Sequence, residues 1–191
     1  VCSRVLRTWG TSESALAELL APRIEALDAP ASDGRPRPTL AFLASGIEGL
    51  KVRLTVRADD LATAGTELAA EEERVRQVIE PWVFGVDDDT MESVLLDLLR
   101  ARSWRLATAE SLTAGYVSGR LAQVPGASDV LVGGVVSYAS SVKHDLLGVP
   151  AGPVVSEAAA LAMAQGAARV LGAEVAVATT GVAGPDSQEG Q

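Results

Sequence analysis

Three short apolar runs in the second half of the chain constrain its fold more than any other feature. They cover residues 104–109, 130–138 and 174–180, and segments with helical periodicity separate them. Strands that alternate with helices in this way are typical of an α/β domain with a largely buried sheet. Because open α/β sheets bind ligands at the carboxyl ends of their strands, we expect a functional site where these runs end.

The first half of the chain predicts a separate, smaller unit. Thr11 or Ser12 can cap its first helix, and Pro22 would kink or divide that helix. The order α-β-β-α predicts a small α+β domain over residues 1–86, followed by the α/β domain over residues 87–191. The predicted elements of the first domain are a helix through residues 16–27, strands over 39–44 and 50–58, and a helix over about 60–79.

The four residues Gly46-Ile47-Glu48-Gly49 match the GXXG loop of RNA-binding KH modules by spacing. They lie between two predicted strands rather than two helices, and Glu48 stands where a basic residue would help to bind a phosphate. We therefore interpret them as the turn of a β-hairpin.

Charge and composition exclude several classes of function. Ten basic and 13 acidic residues precede Val86, and six basic and 12 acidic residues follow it. Neither half has the positive surplus that a phosphate backbone requires, so we expect no nucleic-acid partner. One Cys and one His exclude an internal disulfide and a metal cluster built on these residues. Since no apolar run is long enough to span a membrane, we expect a soluble, cytoplasmic protein with no membrane partner.

Both ends of the chain predict a piece of a longer protein. The chain begins with Val1-Cys2-Ser3 rather than Met, and it ends in a polar loop after Pro185, directly behind the last predicted strand. We therefore expect the second domain to be incomplete at its C-terminus.

The stretch from Thr108 to Gly115 combines a strand end with a helix start. A strand that turns directly into a helix would place Ser111 and Thr113 at the helix N-terminus, where unpaired N–H groups stabilise oxyanions. A serine at that point is either a simple N-cap or a nucleophile beside an oxyanion hole.

Any proton acceptor for Ser111 has to be something other than the single histidine. No pattern places His144 near Ser111, which argues against a Ser-His-Asp triad. Lys143 follows Tyr138 by five positions, and a partly desolvated lysine can accept the serine proton while the tyrosine orients it. Taken alone, however, Lys143 is more often an ordinary solvated lysine. Residues 181–184 after the third run form either a ligand-binding loop or a plain structural turn.

Several blocks of the second half form a pattern of fixed order and spacing. The blocks are Ala109–Gly115, Val135–Ala139 with Lys143, Leu147–Val149, Val155–Glu157 and Thr180–Pro185. They resemble the C-terminal domain of the CinA family, which is known as a nicotinamide-mononucleotide deamidase in several members, and the resemblance covers essentially all of residues 87–191. Residues 7–14 and 39–44 resemble the small domain that links it to a nucleotide-pyrophosphatase domain, which this chain does not include.

The resemblance implies a three-layer α/β/α domain that hydrolyses the carboxamide of nicotinamide mononucleotide. The products are nicotinic acid mononucleotide and ammonia, a step of pyridine nucleotide salvage that needs no cofactor and no metal. Ser111 would be the nucleophile, Lys143 the base and Tyr138 an aid to proton transfer, with the oxyanion at the Ser111 helix start. A pyridine nucleotide would be the small-molecule partner, and the apolar helices suit a homo-oligomer. The implied substrate-binding residues are Glu110, Thr113, Gly115, Gly181, Ala183 and Gly184.

Three departures from the family pattern matter, and one alternative stays open. One departure is that the later strands and helices of the family's sheet do not follow, so we expect the fragment to be unstable or poorly active. The other two lie within the region of the resemblance. The chain reads Leu112-Thr113-Ala114-Gly115 where the family often has Cys-Thr-Gly-Gly, and residues 186–189 are polar where the family is usually glycine-rich. The alternative is a non-catalytic binding or regulatory module of the same fold, serving competence or DNA-damage responses. The presence of Ser111, Tyr138 and Lys143 together favours the enzyme.

Overall fold

A computed structural model describes residues 1–29, 35–44, 46–182 and 184. The chain divides into two compact units, Val1–Val94 and Leu95–Gln191, which we call the N-terminal unit and the C-terminal unit. The division falls within a helix, α3, that spans Met91–Arg102. The boundary between residues 86 and 87 that the sequence suggests stays a prediction.

The N-terminal unit is a four-stranded antiparallel sheet with two helices. The strand order in the sheet is β2-β3-β1-β4. The predicted α-β-β-α core is present, and the structure adds one strand before it and one strand after it. The elements in chain order are β1 (Cys2–Thr8), α1 (Glu13–Asp28), β2 (Thr39–Ala44), β3 (Leu50–Val56), α2 (Leu61–Ile79) and β4 (Val83–Val86).

The two added strands lack the sequence signature of a strand. In β1, Arg7 interrupts the apolar pattern, yet it lies buried at the centre of the sheet. Its guanidinium donates to the Glu48 side chain and to the Asp87 carbonyl oxygen, which offset part of the cost of removing the charge from water. Arg7 Nε is buried without a hydrogen-bond partner among the described residues. Strand β4 has only four residues, too few to show an alternation.

Helix α1 begins after Ser12, whose side chain accepts a hydrogen bond from the Ala15 N–H at 3.2 Å. The helix continues through Pro22 to Asp28, so of the two predicted alternatives, a kink or a division, the division does not occur. Leu16 and Leu20 lie on the buried face, and their packing holds the helix together across the hydrogen bond that proline cannot make.

The GXXG segment joins β2 to β3, which confirms the predicted hairpin. Residues 46–48 form one turn of 3-10 helix, and the strands pair from Ala44 with Leu50 to Thr39 with Thr55. Gly49 has a positive φ of 80°, and a Cβ there would overlap the Thr8 carbonyl oxygen. Only glycine fits this position.

The C-terminal unit is a three-stranded parallel sheet with helices, and the strand order is β6-β5-β7. Every residue of the central strand β5 is buried. The three predicted strands are confirmed, with ends that shift by one or two residues. Helices lie between them as predicted, but the helix expected from Ser111 begins only at Tyr116. After α3 the elements are β5 (Leu106–Glu110), α4 (Tyr116–Ala122), β6 (Leu131–Val136), α5 (Ser140–Asp145), α6 (Glu157–Leu171) and β7 (Val175–Thr179).

Two apolar clusters hold the helices of this unit to the sheet. Ala107 and Ala109 of β5 pack with α6 through Met163. Leu106 packs with α3 and α4 through Leu99 and Leu121. Side chains alternate along a strand, so neighbouring residues of β5 contribute to different clusters.

Across the described ranges of both units, no helix is both long enough and apolar enough to cross a bilayer.

Candidate functional site

The three strands of the C-terminal sheet end at the same level. Glu110, the last residue of β5, pairs with Val136 of β6 on one side and with Thr179 of β7 on the other. The segments that follow the strands consequently meet at one edge of the sheet. A cavity of about 90 Å³ lies there, which we call the Ser111 cavity. The residues that line it are Ser111, Leu112, Tyr138, Ser140, Lys143, Val154, Val155, Thr180 and Gly181.

Ser111 lies in a turn rather than at the start of a helix. Residues 111–115, which we call the Ser111 turn, separate β5 from α4, and the helix begins only at Tyr116. Ala114 and Gly115 have positive φ angles of 50° and 94°, a conformation that an α-helix cannot contain. The prediction that Ser111 and Thr113 begin the helix is therefore wrong.

The first N–H groups of α4 are already occupied. Glu110 Oε2 accepts from the N–H groups of Gly115 and Val117, both at 3.0 Å. Glu110 Oε1 accepts from the N–H of Ser118 at 2.8 Å and from its hydroxyl at 2.6 Å. The helix start consequently cannot serve as the predicted oxyanion hole. Within the described part of the chain, the N–H groups of Leu112 and Thr113 have no acceptor, so they are the donors left beside Ser111.

The environment of Glu110 favours the ionised carboxylate. Only 1% of the residue is exposed, and this burial disfavours the charge. The hydrogen bonds from the Ser118 hydroxyl, the Ser118 N–H and the Val117 N–H outweigh burial and lower the pKa of Glu110 to about 2. Glu110 is therefore an anion at neutral pH.

Lys143 is buried, with 3% of its surface exposed. It belongs to the short helix α5, and its Nζ donates to the carbonyl oxygen of Tyr138 at 3.3 Å. The sequence left open whether this lysine is solvated or placed in a cleft, and the structure places it in the wall of the Ser111 cavity. A lysine in such a position is a candidate proton acceptor for a nucleophile that lines the same cavity.

Tyr138 lines the mouth of the cavity and is 63% exposed. The preceding residue, Ser137, is fully buried, and its N–H donates to the carbonyl oxygen of Glu110 at 2.8 Å. This bond holds the end of β6 against β5, so the backbone that leads into the exposed Tyr138 is fixed to the central strand.

The predicted substrate-binding residues fall into three groups. Gly181 lines the cavity, and the hydroxyls of Thr113 and Thr179 form a 2.7 Å hydrogen bond that joins the Ser111 turn to the end of β7. The carboxylate of Glu110 and the N–H of Gly115 bond to each other and take no place in the cavity lining. Gly184 has a positive φ of 65° and is likewise not among the lining residues, and Ala183 lies outside the described residues.

Sequence reasoning missed several residues of the cavity wall. Thr180 directly follows β7, and its hydroxyl donates to the Val154 carbonyl oxygen at 2.6 Å. Ser140 comes two residues after Tyr138, so both positions could have been found by taking every polar residue behind a strand end. Leu112 packs against Gly181, where an added Cβ would lie 3.1 Å from the leucine Cδ1. Val154 and Val155 carry no such signal.

Two family models divide the chain between them. The model described as the CinA C-terminal domain matches residues 88–191, and the model described as the damage-inducible protein CinA KH domain matches residues 3–85. The chain belongs to the CinA family. The resemblance inferred from the sequence is confirmed.

Curated relatives of this CinA chain extend well beyond it. A CinA-like protein of Frankia casuarinae is 48% identical over 99% of this chain and 43% of its own length. A putative competence-damage inducible protein of Geobacillus kaustophilus is 38% identical over 98% of this chain and 44% of its own length. The chain thus spans less than half the length of these relatives.

A solved structure also resembles part of the chain. The crystal structure of the competence-damaged protein (CinA) superfamily protein from Escherichia coli matches with a TM-score of 0.50 and 33% identity. The match covers 51% of this chain and 60% of the E. coli chain.

Proposed function

We propose that the C-terminal unit of this CinA chain is an amidohydrolase that converts nicotinamide mononucleotide to nicotinic acid mononucleotide and ammonia. The observation that carries the proposal is the meeting of Ser111 and the buried Lys143 in the wall of one cavity. A nucleophile and a desolvated amine in one small cavity are suited to acyl transfer.

The reaction would proceed in two halves. Lys143, as the neutral amine, takes the proton of Ser111 while Oγ attacks the carboxamide carbon, and the carbonyl oxygen becomes an oxyanion. The C–N bond then breaks, and the amide nitrogen leaves as ammonia after receiving the proton from Lys143. Water attacks the resulting ester while Lys143 accepts one of its protons, and Lys143 passes that proton to Ser111 Oγ as the ester C–O bond breaks. The acid product then loses its proton to solvent and leaves as the carboxylate.

The Ser111 turn supports stabilisation of the oxyanion. The N–H groups of Leu112 and Thr113 are the donors that remain beside Ser111, because Glu110 takes those of the helix start. Backbone donors fixed before the reaction cost no reorganisation as charge develops. We assign Tyr138 to proton transfer at the mouth of the cavity.

The size of the Ser111 cavity suggests that it holds only the reacting end of the substrate. About 90 Å³ accommodates the carboxamide, and the ribose and phosphate would extend past the exposed Tyr138. We keep Thr113, Gly181, Ala183 and Gly184 as proposed contacts of the ribose-phosphate.

We infer three broader properties along with this activity. The two apolar clusters on β5 support a three-layer α/β/α arrangement of the C-terminal unit. A cytoplasmic location and a homo-oligomeric state fit an enzyme of pyridine nucleotide salvage. No nucleic-acid partner is proposed despite the KH name of one family model, because Glu48 of the GXXG turn pairs with Arg7 and Lys51.

Ammonia release from nicotinamide mononucleotide by the full chain tests the proposal. We expect turnover by the wild type and a loss of at least about 1,000-fold in Ser111→Ala and Lys143→Met, since each removes a group that acts on the reacting atoms. Ser141→Ala is the matched control, because Ser141 is exposed, belongs to the same short helix as Lys143 and does not line the cavity.

Turnover that survives Ser111→Ala would overturn the assigned nucleophile. A wild-type chain that binds the nucleotide without releasing ammonia would instead support the alternative, a non-catalytic binding module of the same fold.

A further inference from the structure

We propose that Glu110 is a positioning residue, whose buried carboxylate fixes the Ser111 turn and thereby aims Ser111 into the cavity. The inference rests on the proposed function insofar as Ser111 is the nucleophile. The sequence resemblance implied that Glu110 contacts the substrate. The present proposal gives Glu110 a different role.

The carboxylate ties together the two ends of the Ser111 turn. Glu110 directly precedes Ser111 and belongs to the central strand β5, which is hydrogen-bonded on both sides. Its two oxygens accept four hydrogen bonds, from Gly115 at the end of the turn and from Val117 and Ser118 in the first turn of α4. The turn is thus a short loop whose two ends are joined by a side chain of the central strand β5.

This arrangement differs from the ordinary helix caps of the same chain. Helices α1, α2 and α6 are capped by Ser12, Asp60 and Ser156, each of which accepts from the N–H three residues ahead. The N-cap of α4 is Gly115, which has no side chain to accept a bond. The cap of α4 is supplied instead by a buried carboxylate, and burying that charge is far costlier than placing a serine at the helix end.

A second layer of polar groups holds the Glu110 carboxylate in place. The Ser118 hydroxyl, which donates to Glu110, also lies in hydrogen-bond contact with the Thr108 hydroxyl two residues earlier on β5. Gly134 of β6 leaves the space for this pair, since an added Cβ would overlap Thr108 Oγ1 and lie 2.5 Å from Ser118 Oγ. Hydrogen bonds thus connect Thr108 of β5 through Ser118 to Glu110, the residue that precedes the proposed nucleophile.

Glu110 does not exchange protons in the working pH range, because its pKa of about 2 keeps it ionised. Its contribution is therefore that of a fixed acceptor rather than that of an acid or base. Misplacement of a reacting group by about 1 Å can cost about 100-fold in rate, which sets the scale of the expected effect.

The test compares Glu110→Gln and Ser118→Ala with the control Asp60→Asn in the full chain. Glutamine keeps the size of Glu110 but presents an NH₂ donor to N–H groups that need an acceptor, whereas Ser118→Ala removes a single hydroxyl. Asp60→Asn makes the same carboxylate-to-amide change at the cap of α2, which lies in the N-terminal unit. Thermal unfolding verifies that each variant is folded.

Two readouts distinguish a failure of the positioning role from a failure of the proposed substrate assignment. The first is the kcat and KM for nicotinamide mononucleotide. The second is the rate at which a small sulfonyl fluoride labels Ser111, forming the O–S bond and releasing fluoride, as followed by mass spectrometry of the peptide that contains Ser111. For Glu110→Gln we expect kcat and the labelling rate to fall together by about 100-fold with little change in KM, and for Ser118→Ala by a smaller factor.

Wild-type labelling without ammonia release would reject the substrate, and the labelling rates would still decide the role of Glu110. A folded Glu110→Gln chain that is labelled as fast as Asp60→Asn and the wild type would overturn the positioning role. An unchanged kcat with a raised KM would overturn it as well, because that result is the signature of a substrate contact.

Discussion

Each unit of the chain buries a glutamate, and the two carboxylates are compensated in different ways. Glu71 in the N-terminal unit is fully buried and pairs with the guanidinium groups of Arg23 and Arg74. Glu110 in the C-terminal unit is almost as buried, but it accepts from three backbone N–H groups and the Ser118 hydroxyl, and the Thr113 hydroxyl also favours its charge. An ion pair between long side chains joins helices, whereas bonds to the backbone fix the path of the chain itself.

The kind of hydrogen-bond partner that each carboxylate has corresponds to its position in its unit. Glu71 on α2 bonds to Arg23 on α1, with the Arg23 Nε at 2.6 Å, so it links two helices over the apolar core of the N-terminal unit. Glu110 stands next to a residue that lines a cavity. The comparison teaches that a buried charge can serve the fold in one unit and a single local geometry in the other.

The largest effect on stability is expected from breaking the Glu71 ion pair. Arg23→Leu leaves the Glu71 carboxylate buried with only the half-exposed Arg74, and we expect a loss of about 3 kcal/mol in the free energy of unfolding of the N-terminal unit. Urea unfolding followed by tryptophan fluorescence measures this loss. Arg74→Leu is the control, with an expected loss of at most about 1 kcal/mol because that side chain is half exposed. Equal effects would show that burial does not distinguish the two arginines.

The lowered pKa of Glu110 predicts that the free energy of unfolding decreases at acidic pH. Its pKa falls from 4.5 to about 2 on folding, so the ionised form is favoured in the folded state. This contributes about 3 kcal/mol that is fully present above the unfolded pKa and is lost as the pH falls from about 4.5 to about 2. Urea unfolding of the wild type and Glu110→Gln across this range measures it. If the difference between the two proteins did not change with pH, the bonds to the carboxylate would not be those described.

A smaller effect is expected from filling the space at Gly134. In Gly134→Ala the new methyl group overlaps the hydroxyls of Thr108 and Ser118, and we expect a loss of about 2 kcal/mol in the free energy of unfolding. Ammonia release should also fall, because Ser118 holds Glu110. Gly119→Ala in α4 is the matched control, since nothing lies within 4 Å of its added Cβ, and it should leave stability unchanged or raise it by up to about 1 kcal/mol. Equal results for the two variants would contradict the packing described here.

The strands of the C-terminal unit could be predicted from the sequence because short apolar runs bounded by turn residues are typical of buried strands. The expectation that strand ends meet also placed Ser111 and Tyr138, with Lys143 as their partner, at one edge of the sheet. In the structure these three residues line one cavity there. The sequence did not predict β1, whose Arg7 is buried by partners far along the chain, Glu48 and Asp87. Such compensation depends on tertiary contacts that a local pattern does not contain.

The Ser111 turn shows the same limit at the site. A strand followed by helical periodicity predicted a helix from Ser111, but Ala114 adopts a left-handed conformation that its residue type does not favour. That conformation delays the helix to Tyr116 and turns its first N–H groups toward Glu110. The hydrogen bonds of Glu110 depend on this geometry. The family resemblance rests on the order of residue types and does not contain this geometry, and it implied a substrate contact for Glu110 instead.

Glu110 thus positions the candidate site in our proposal, while Glu71 stabilises the fold of the N-terminal unit. The most direct measurement is the labelling rate of Ser111 by the sulfonyl fluoride in Glu110→Gln and in Glu71→Gln, each normalised to its folded fraction. We predict a fall of about 100-fold in Glu110→Gln and a rate close to that of the wild type in Glu71→Gln. Equal rates in the two folded variants would contradict the account.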